Sequence, residues 1–396
     1  MGDEAAVQRS LEFLRQTFQG YYESTRLELP DRFGRREFGF LFFGGKGMVR
    51  HLGFEKREQV WGFMTERAPQ HAYYSSAYYQ SPAAAKMVDK NWMGAELIFD
   101  LDSDHLPNAD KMGYAESLVE VKKEFKKLVE EFLLGDFGFQ EKHLELYFSG
   151  GRGYHCHVKD PFVLDLDSNE RREIVDYITG RDLQESIIFH EQVTGRKTYG
   201  AYSFAAGKSL KMPTPDQDGW KGRISRGIID LVDEIKQSPD PEQKLMEYGV
   251  SKKDAERLVE ELSEERVNRI KGGMLDQSKT IRKFFLNSAL RKTAVSLEAG
   301  ETDEPVTCDI KRLIRLPSSL HGKTGLKVVK IAVDELDKFD PLRDAVVLPD
   351  DPVRIAVQKP VTITMKDQEF SLTAGEHEVP TYLAVFLLAR KEASLV

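Results

Sequence analysis

Cysteine is nearly absent from this chain. Cys156 and Cys308 are the only two, they lie far apart, and no C-x-x-C occurs. That excludes a disulfide framework and a self-contained four-cysteine zinc site, and each thiol reads most simply as a small buried apolar side chain. Long apolar runs are missing as well. The longest near either end, Tyr382 to Ala389, is far too short to span a bilayer. Met1 to Ala6 is acidic and has no apolar core of a secretory signal, so a cytoplasmic protein with no membrane association is expected. A positive balance is missing too: 57 Lys and Arg against 65 Asp and Glu leave a net charge of −8 and a pI of about 5.7. Passive nucleic-acid binders usually carry a basic excess, so any grip on nucleic acid here must come from local cations or from a partner.

What is present describes a soluble globular chain, 40% hydrophobic and 31% charged. Its 396 residues make two to three domain equivalents, or one core carrying a large insertion. Val7, Leu11, Leu14 and Phe18 predict an amphipathic helix within residues 1–30. Phe38 to Phe43 and Met48 to Phe54 predict a hairpin turning at Gly44-Gly45-Lys46-Gly47. Ser81-Pro82 reads as a cap and first turn of a short helix to about Asp89. Ala95 to Leu101 is a strongly apolar strand, and Leu118, Val121, Phe125, Leu128 and Phe132 mark a helix from Glu116 to Leu134, stopped by Gly135. Leu144 to Phe148 and Tyr154 to Val158 are further strands. From about Arg181 to Gly300 charge rises and apolar strands vanish, which predicts a mostly helical insertion, with the Gly-, Pro- and Lys-rich stretch Gly195 to Gly222 as loop. Strands resume near Val306 and at Leu326 to Val333. Short strands follow from Leu348 to Val379, then a closing helix from Pro380 to Ala393. There is no internal repeat and no low-complexity tract. The fold class expected is α/β (α+β).

Three motifs carry chemistry. In Glu96-Leu-Ile-Phe-Asp100-Leu-Asp102-Ser-Asp104 the period of two puts Asp100 and Asp102 on one side of a strand and Leu97, Phe99 and Leu101 on the other. Adjacent carboxylates repel unless a cation neutralises them, and a hard ion such as Mg²⁺ or Mn²⁺, completed by water and substrate phosphates, suits such a pair. A bare D-x-D is equally an aspartate pair at a strand end, one residue capping the next loop. In Ser149-Gly-Gly-Arg152-Gly-Tyr-His155-Cys-His157, glycines between two strands let backbone N–H groups approach an anion, and Arg152 supplies a fork for phosphate. A dinucleotide fingerprint from Gly151 fails because position 156 is Cys, and H-x-H lacks an obvious third zinc ligand. A glycine-rich turn with a surface arginine is the plain alternative. The third motif runs from Cys308-Asp309 through Arg312, Arg315, Pro317 and Ser319 to His321-Gly-Lys323-Thr-Gly. Gly-Lys-Thr suggests a P-loop, but Pro317 stands where that loop needs glycine. What remains is a carboxylate followed by cations suited to a triphosphate, against a basic surface loop. Arg35-Arg36-Glu37-Phe38 with Arg50, and the tyrosines between His71 and Tyr79, read equally well as sheet packing.

Taken in order, Arg36-Glu37-Phe38, Phe99-Asp100-Leu101-Asp102, Ser149-Gly-x-Arg152-Gly-x-His155, Asp309, and Arg315-x-Pro317 with His321-Gly-Lys323-Thr-Gly resemble the catalytic small subunit of archaeal and eukaryotic DNA primase. The resemblance spans about residues 35 to 326. It implies a catalytic core of mixed sheet flanked by helices, residues 1–180 and 301–396, interrupted by a mostly helical subdomain, residues 181–300. It implies synthesis of short primers on single-stranded DNA from NTPs and dNTPs by two-metal nucleotidyl transfer, as a heterodimer with a large subunit, with the protein at the nucleoid if archaeal. Asp100, Asp102 and Asp309 match the family's metal-binding triad, occupied by Mg²⁺ or Mn²⁺. Ser149, Arg152, His155, Arg315, His321 and Lys323 match contacts to the incoming triphosphate, and Glu37 and Arg50 match positions near the initiating nucleotide. The family's zinc knuckle is not matched: Ser103 to Tyr114 offers His105 and no cysteine, so no structural zinc is expected. Two other readings stand beside this one: a primase-like polymerase of end-joining repair, and a non-catalytic protein of the same fold that binds nucleic acid or a partner.

Overall fold

The apolar alternation around Asp100 builds the central sheet. In the computed structural model, which describes residues 2–106, 109–275, 279–295 and 306–396, Leu97–Asp102 pairs with Gly153–Val158, which pairs with Leu144–Phe148 and then Val329–Ile331. Every pairing is antiparallel. Phe99, Cys156 and Leu146 align across three strands, as do Leu101, Tyr154 and Phe148, and all six are buried. This face packs on the helix Tyr114–Lys127 through Leu118, Val121 and Phe125, with Phe125 stacked on Tyr154 at 5.3 Å. The helix runs on as a π-helix, Leu128–Asp136, so Gly135 lies within the helical run rather than ending it. The opposite face of the sheet carries the rows Asp100–His155–Tyr147 and Ile98–His157–Glu145. The chemistry-bearing residues are therefore backed by a dry core.

A second sheet has the order Leu313–Arg315, His71–Ser75, Phe38–Leu41, Val49–Leu52. Phe38, Phe40, Phe54 and Phe63 pack under it, with Phe40 and Phe63 at 4.6 Å. These phenylalanines are sheet packing. The closing helix, Thr381–Ala389, is buried on all sides and touches the N-terminal helix Gly2–Ser24. It ends four residues before the expected Ala393, because Lys391 turns the chain at φ +61° into the strand Ala393–Leu395, which pairs with Pro352–Val357.

Two local expectations fail for tertiary reasons. Ser81-Pro82 starts no helix. The segment makes a turn, with Ala84 N donating to Ser81 O, and only a 3-10 helix forms at Met87–Lys90. Burial of Lys90 against Glu37 sets its path, and Val88 is left exposed. The stretch read as loop holds two long strands, His190–Tyr199 and Tyr202–Lys211. Most of their described side chains are exposed, Leu210 at the base being the buried exception, so no continuous buried face wrote an apolar alternation into the described positions.

The chain divides into two compact units, Met1–Val175 with Ser296–Val396, and Asp176–Val295. The second holds this hairpin and the packed helices Gly219–Gln237 and Lys279–Thr293, with Trp220 Nε1 donating to Tyr177 O at 2.8 Å.

Candidate active site

Eight of the eleven residues singled out from sequence meet in one cleft of the first unit. Asp100, Asp102, Ser149, Arg152, His155, Arg315, His321 and Lys323 line a cavity of about 700 Å³. Strand geometry brings the first pair there: Asp100 lies opposite His155 and Asp102 opposite Gly153. A Cβ at Gly153 would stand 2.2 Å from Leu101 O, so only glycine lets the strands close beside Asp102. Gly150 holds φ +76° in the loop between the strands, and Ser149 Oγ accepts from Gly151 N at 3.2 Å. Asp102 also caps the turn after it, accepting from Asp104 N at 3.1 Å. The capping role and an open carboxylate thus coexist. Arg152 spans Asp104, with which it forms a close ion pair, and Asp102, at 3.8 Å.

The histidines divide their tasks. Arg315 stacks over Tyr73 at 4.6 Å and donates to His71 Nδ1 and, at 3.0 Å, to His321 Nε2. His321 Nδ1 lies 3.3 Å from Thr324 Oγ1, whose own proton goes to Gly150 O at 2.5 Å. His321 Nδ1 also lies 3.4 Å from Lys323 N, so both ring nitrogens face groups of the site itself, with Nε2 turned toward Arg315. His71 Nδ1 accepts from Gly322 N at 3.1 Å as well. Burial, reinforced by Arg315 and Lys323, pushes His71 down to about 2. Burial and the same cations hold His321 well below the imidazole range. Arg315 is itself lowered by burial, while Tyr73, Asp100 and Asp102 oppose the shift.

A buried relay stands behind His155. Arg36 and Glu96 form a fully buried, close ion pair, and Tyr78 OH donates to Glu96 at 2.9 Å. His157 Nδ1 lies 2.8 Å from the other Glu96 oxygen, and His157 Nε2 lies 2.9 Å from His155 Nδ1. With the carboxylate as acceptor, His157 Nδ1 donates to Glu96, and its Nε2 accepts from His155 Nδ1. That leaves His155 Nε2 a lone pair. It is buried, has no hydrogen-bond partner, and belongs to a cleft-lining side chain.

Glu37, Arg50 and Asp309 are not brought into the cleft. Glu37 is buried, accepts from Arg50 Nε at 3.0 Å and His51 N at 3.1 Å, and lies 3.4 Å from the buried Lys90 ammonium. Burial alone would raise its carboxyl, but Arg50, His51 N–H and Lys90 hold it below the usual range. Asp309 follows the turn Val306–Cys308, which packs on Leu97–Asp102; it is exposed and accepts from Lys311 N at 2.9 Å. The charges of Glu37, Arg50 and Asp309 act together on the buried Tyr79 hydroxyl. Among the described residues, no three His, Cys, Asp or Glu side chains stand together as a metal-binding group. Asp100 and Asp102 are the carboxylates that line the cleft. Residues 107–108 of the segment read as lacking a zinc knuckle lie outside the described residues.

The cleft also holds residues that sequence reasoning passed over: Gln70, Arg390 and Lys391. Arg390 lies over the Tyr114 ring at 4.9 Å, and Tyr114 OH donates to Gly151 O at 2.6 Å, which ties the closing helix to the glycine loop. From sequence, Arg390-Lys391 reads as basic residues complementing a helix C-terminus.

Paired carboxylates and a bank of cations from motifs far apart in sequence thus meet in one cleft. Residues 99–332 match the model of the family described as DNA primase small subunit. The chain belongs to the DNA primase small subunit family. It is 42% identical to the DNA primase small subunit PriS of Methanothrix thermoacetophila over 388 residues, covering 96% of this chain and 97% of that protein. Against PriS of Methanocella arvoryzae it is 39% identical over 393 residues, covering 96% and 97%. Against PriS of Picrophilus torridus it is 39% identical over 381 residues, covering 96% of each. The DNA primase small subunit match contains both aspartates, the glycine loop, Asp309 and the Arg315–Lys323 segment, while Glu37, Arg50, Arg390 and Lys391 fall outside it. No helix is long and apolar enough to cross a membrane.

Proposed function

We propose that this chain is the catalytic subunit of a DNA primase, a nucleotidyltransferase that builds short primers on single-stranded DNA from NTPs and dNTPs, working with a large subunit as a heterodimer at the nucleoid. The observation that carries the reading is the placement of Asp100 and Asp102 on one strand face, in the same cleft as Arg152, Arg315 and Lys323. A carboxylate pair suits Mg²⁺ or Mn²⁺ completed by substrate phosphates. When bound, such ions supply activation of a 3′-hydroxyl and stabilisation of the leaving pyrophosphate. Asp309 is the third carboxylate that the resemblance implies.

The chain's own residues do the rest. Arg152, Arg315 and Lys323 neutralise and orient the triphosphate, with Arg315 pre-aimed by His71, His321 and Tyr73. Backbone N–H groups of the Ser149–Gly153 loop approach phosphate oxygens without side-chain obstruction. His155 lines the wall of the cleft beside Asp100, its ring held by the Glu96–His157 relay. No protein nucleophile is required, and Cys156 and Cys308 are both buried.

The test is template-dependent primer synthesis with Mg²⁺ or Mn²⁺, with and without the large subunit. Asp100→Asn and Asp102→Asn are expected to lower synthesis by about 100-fold or more, since such groups act on charge that develops in the transition state. Full activity in either variant with an unchanged melting temperature refutes the assignment. Asp309→Asn decides the third position: a comparable loss puts that carboxylate in the chemistry, and unchanged activity leaves the pair alone.

A further inference from the structure

The long hairpin of the second unit presents a surface that the catalytic cleft does not use. Its register sets Tyr199 opposite Tyr202 and Lys197 opposite Phe204. Residues two apart on a strand share a face, so Lys197, Tyr199, Tyr202 and Phe204 stand together on one side of the ribbon. All four are exposed, and the three rings keep 78%, 73% and 60% of their area in solvent. The turn is tight, with Gly200 at φ +61°. Among the described residues, the third strand of this sheet, Met274–Leu275, pairs only with Leu210 and Lys211 at the base. The distal half is thus a bare two-stranded ribbon, an arrangement of marginal stability in water, and three large rings at its tip add nothing to any core.

We propose that this hairpin is a platform for single-stranded nucleic acid, with Tyr199, Tyr202 and Phe204 stacking on bases and Lys197, on the same face, meeting backbone phosphates. Three observations carry it. First, aromatic rings interleaved with cations are the chemistry of sequence-tolerant strand binding, because every base has a π-face and every linkage a charge. Second, the local charge opposes the global one. The chain carries −8 overall, yet the segment from Gly195 to Gly207 holds Arg196 and Lys197 and no acidic residue. Third, the spacing fits. Same-face neighbours on a strand stand roughly 6.8 Å apart, about twice the 3.4 Å rise of stacked bases, so an extended strand can seat bases on successive rings. A protein-docking patch would be depleted of charge at its centre, whereas Lys197 sits within the aromatic set.

The assignment does not rest on the reading of the cleft. The experiment is binding of fluorescein-labelled oligo(dT) by the full chain, followed by anisotropy in EDTA without nucleotide. Tyr202→Ala and Phe204→Ala are each expected to weaken binding by about 5-fold or more, the usual range for a base-stacking ring. Tyr202→Trp should retain affinity, and its added fluorescence should be quenched by the oligonucleotide. Lys197→Ala should reduce the slope of log K against log salt by about 0.7. The side chains are exposed, so melting temperatures should be unchanged. An unaltered Kd in the Tyr202→Ala/Phe204→Ala double variant overturns the proposal. So does a loss confined to binding of a large subunit, which would make the patch a protein-docking site. The readout needs neither metal nor catalysis, so failure of the catalytic reading leaves it untouched, and the reverse holds.

Discussion

Acid should unfold the first unit well before its carboxylates protonate, and three buried histidines are the reason. His71, His155 and His321 are buried and neutral. Burial and neighbouring Arg315 push all three down, His71 to about 2 and the others well below the imidazole range. In the unfolded chain each titrates near about 6.5. Below that pH the unfolded state binds more protons than the folded state, so the stability present above pH 6.5 is lost as pH falls. Each group adds a slope of up to about 1.4 kcal/mol per pH unit, and three sum to about 4. Integrated from pH 6.5 to 5, with each group half titrated at the start, the loss is roughly 5 kcal/mol, against a total stability of about 5–15 for a typical domain. Glu145, held at about 2 by Lys159 and Lys330 against the opposing effect of burial, has an unfolded value of about 4.3 and contributes only below it. The window between pH 6.5 and 4.5 therefore belongs to the histidines. The assay is urea denaturation across that window, read by tryptophan fluorescence in a Trp220→Phe background so that Trp61 and Trp92 report on the first unit. His71→Asn, whose amide oxygen can accept the Gly322 bond, should remove about a third of the loss. A loss under about 2 kcal/mol between pH 6.5 and 5, the size of a single histidine, refutes the reasoning.

Other perturbations test the supports of the cleft. Glu96→Gln leaves Arg36 charged and buried with only neutral partners; a stability loss of about 3 kcal/mol is expected by denaturation, with a fall in primer synthesis, and unchanged stability would show that the pair is not desolvated as described. Lys391 is the αL residue of a Schellman turn, with Glu392 N donating to Leu387 O at 2.9 Å and Lys391 N to Leu388 O at 3.1 Å. Glycine is favoured there, so Lys391→Gly should stabilise by up to about 1 kcal/mol while raising KM for nucleotide; a lower melting temperature contradicts this. Tyr114→Phe removes the bond to Gly151 O and should cost about 1 kcal/mol, with KM rising more than kcat falls if the loop receives phosphate.

The parts legible in the sequence are those where one face of an element is buried. Leu97, Phe99 and Leu101 fixed the side on which Asp100 and Asp102 lie, and the stripe Leu118–Val121–Phe125 named the helix that covers the opposite face. The glycines of the Ser149–Gly153 loop were legible because close strand approach forbids a Cβ. Partners joined only by tertiary structure were not. Arg36 and Glu96 are 60 positions apart, and Arg315 and His71 are 244 apart. Arg390 and Lys391 reach the cleft because a wholly buried helix ends at its rim, a fact with no local signature.

The same limit explains why residue type overstates what a motif does. Arg315, His321 and Lys323 read in sequence as three groups for one triphosphate. In the fold, His321 spends both ring nitrogens internally, one on Thr324 and one on Arg315. Its contribution is to hold a guanidinium flat against Tyr73, so the rigid fork stays aimed at the cleft without further ordering when phosphate arrives. A positioning role and a contact role separate experimentally. His321→Gln offers an amide oxygen to Arg315 at about the place of Nε2, so it should retain much of the nucleotide affinity, while His321→Ala should lose it together with Arg315→Ala. Non-additive losses in that pair would tie His321 to Arg315, and additive losses would return the histidine to direct contact with substrate.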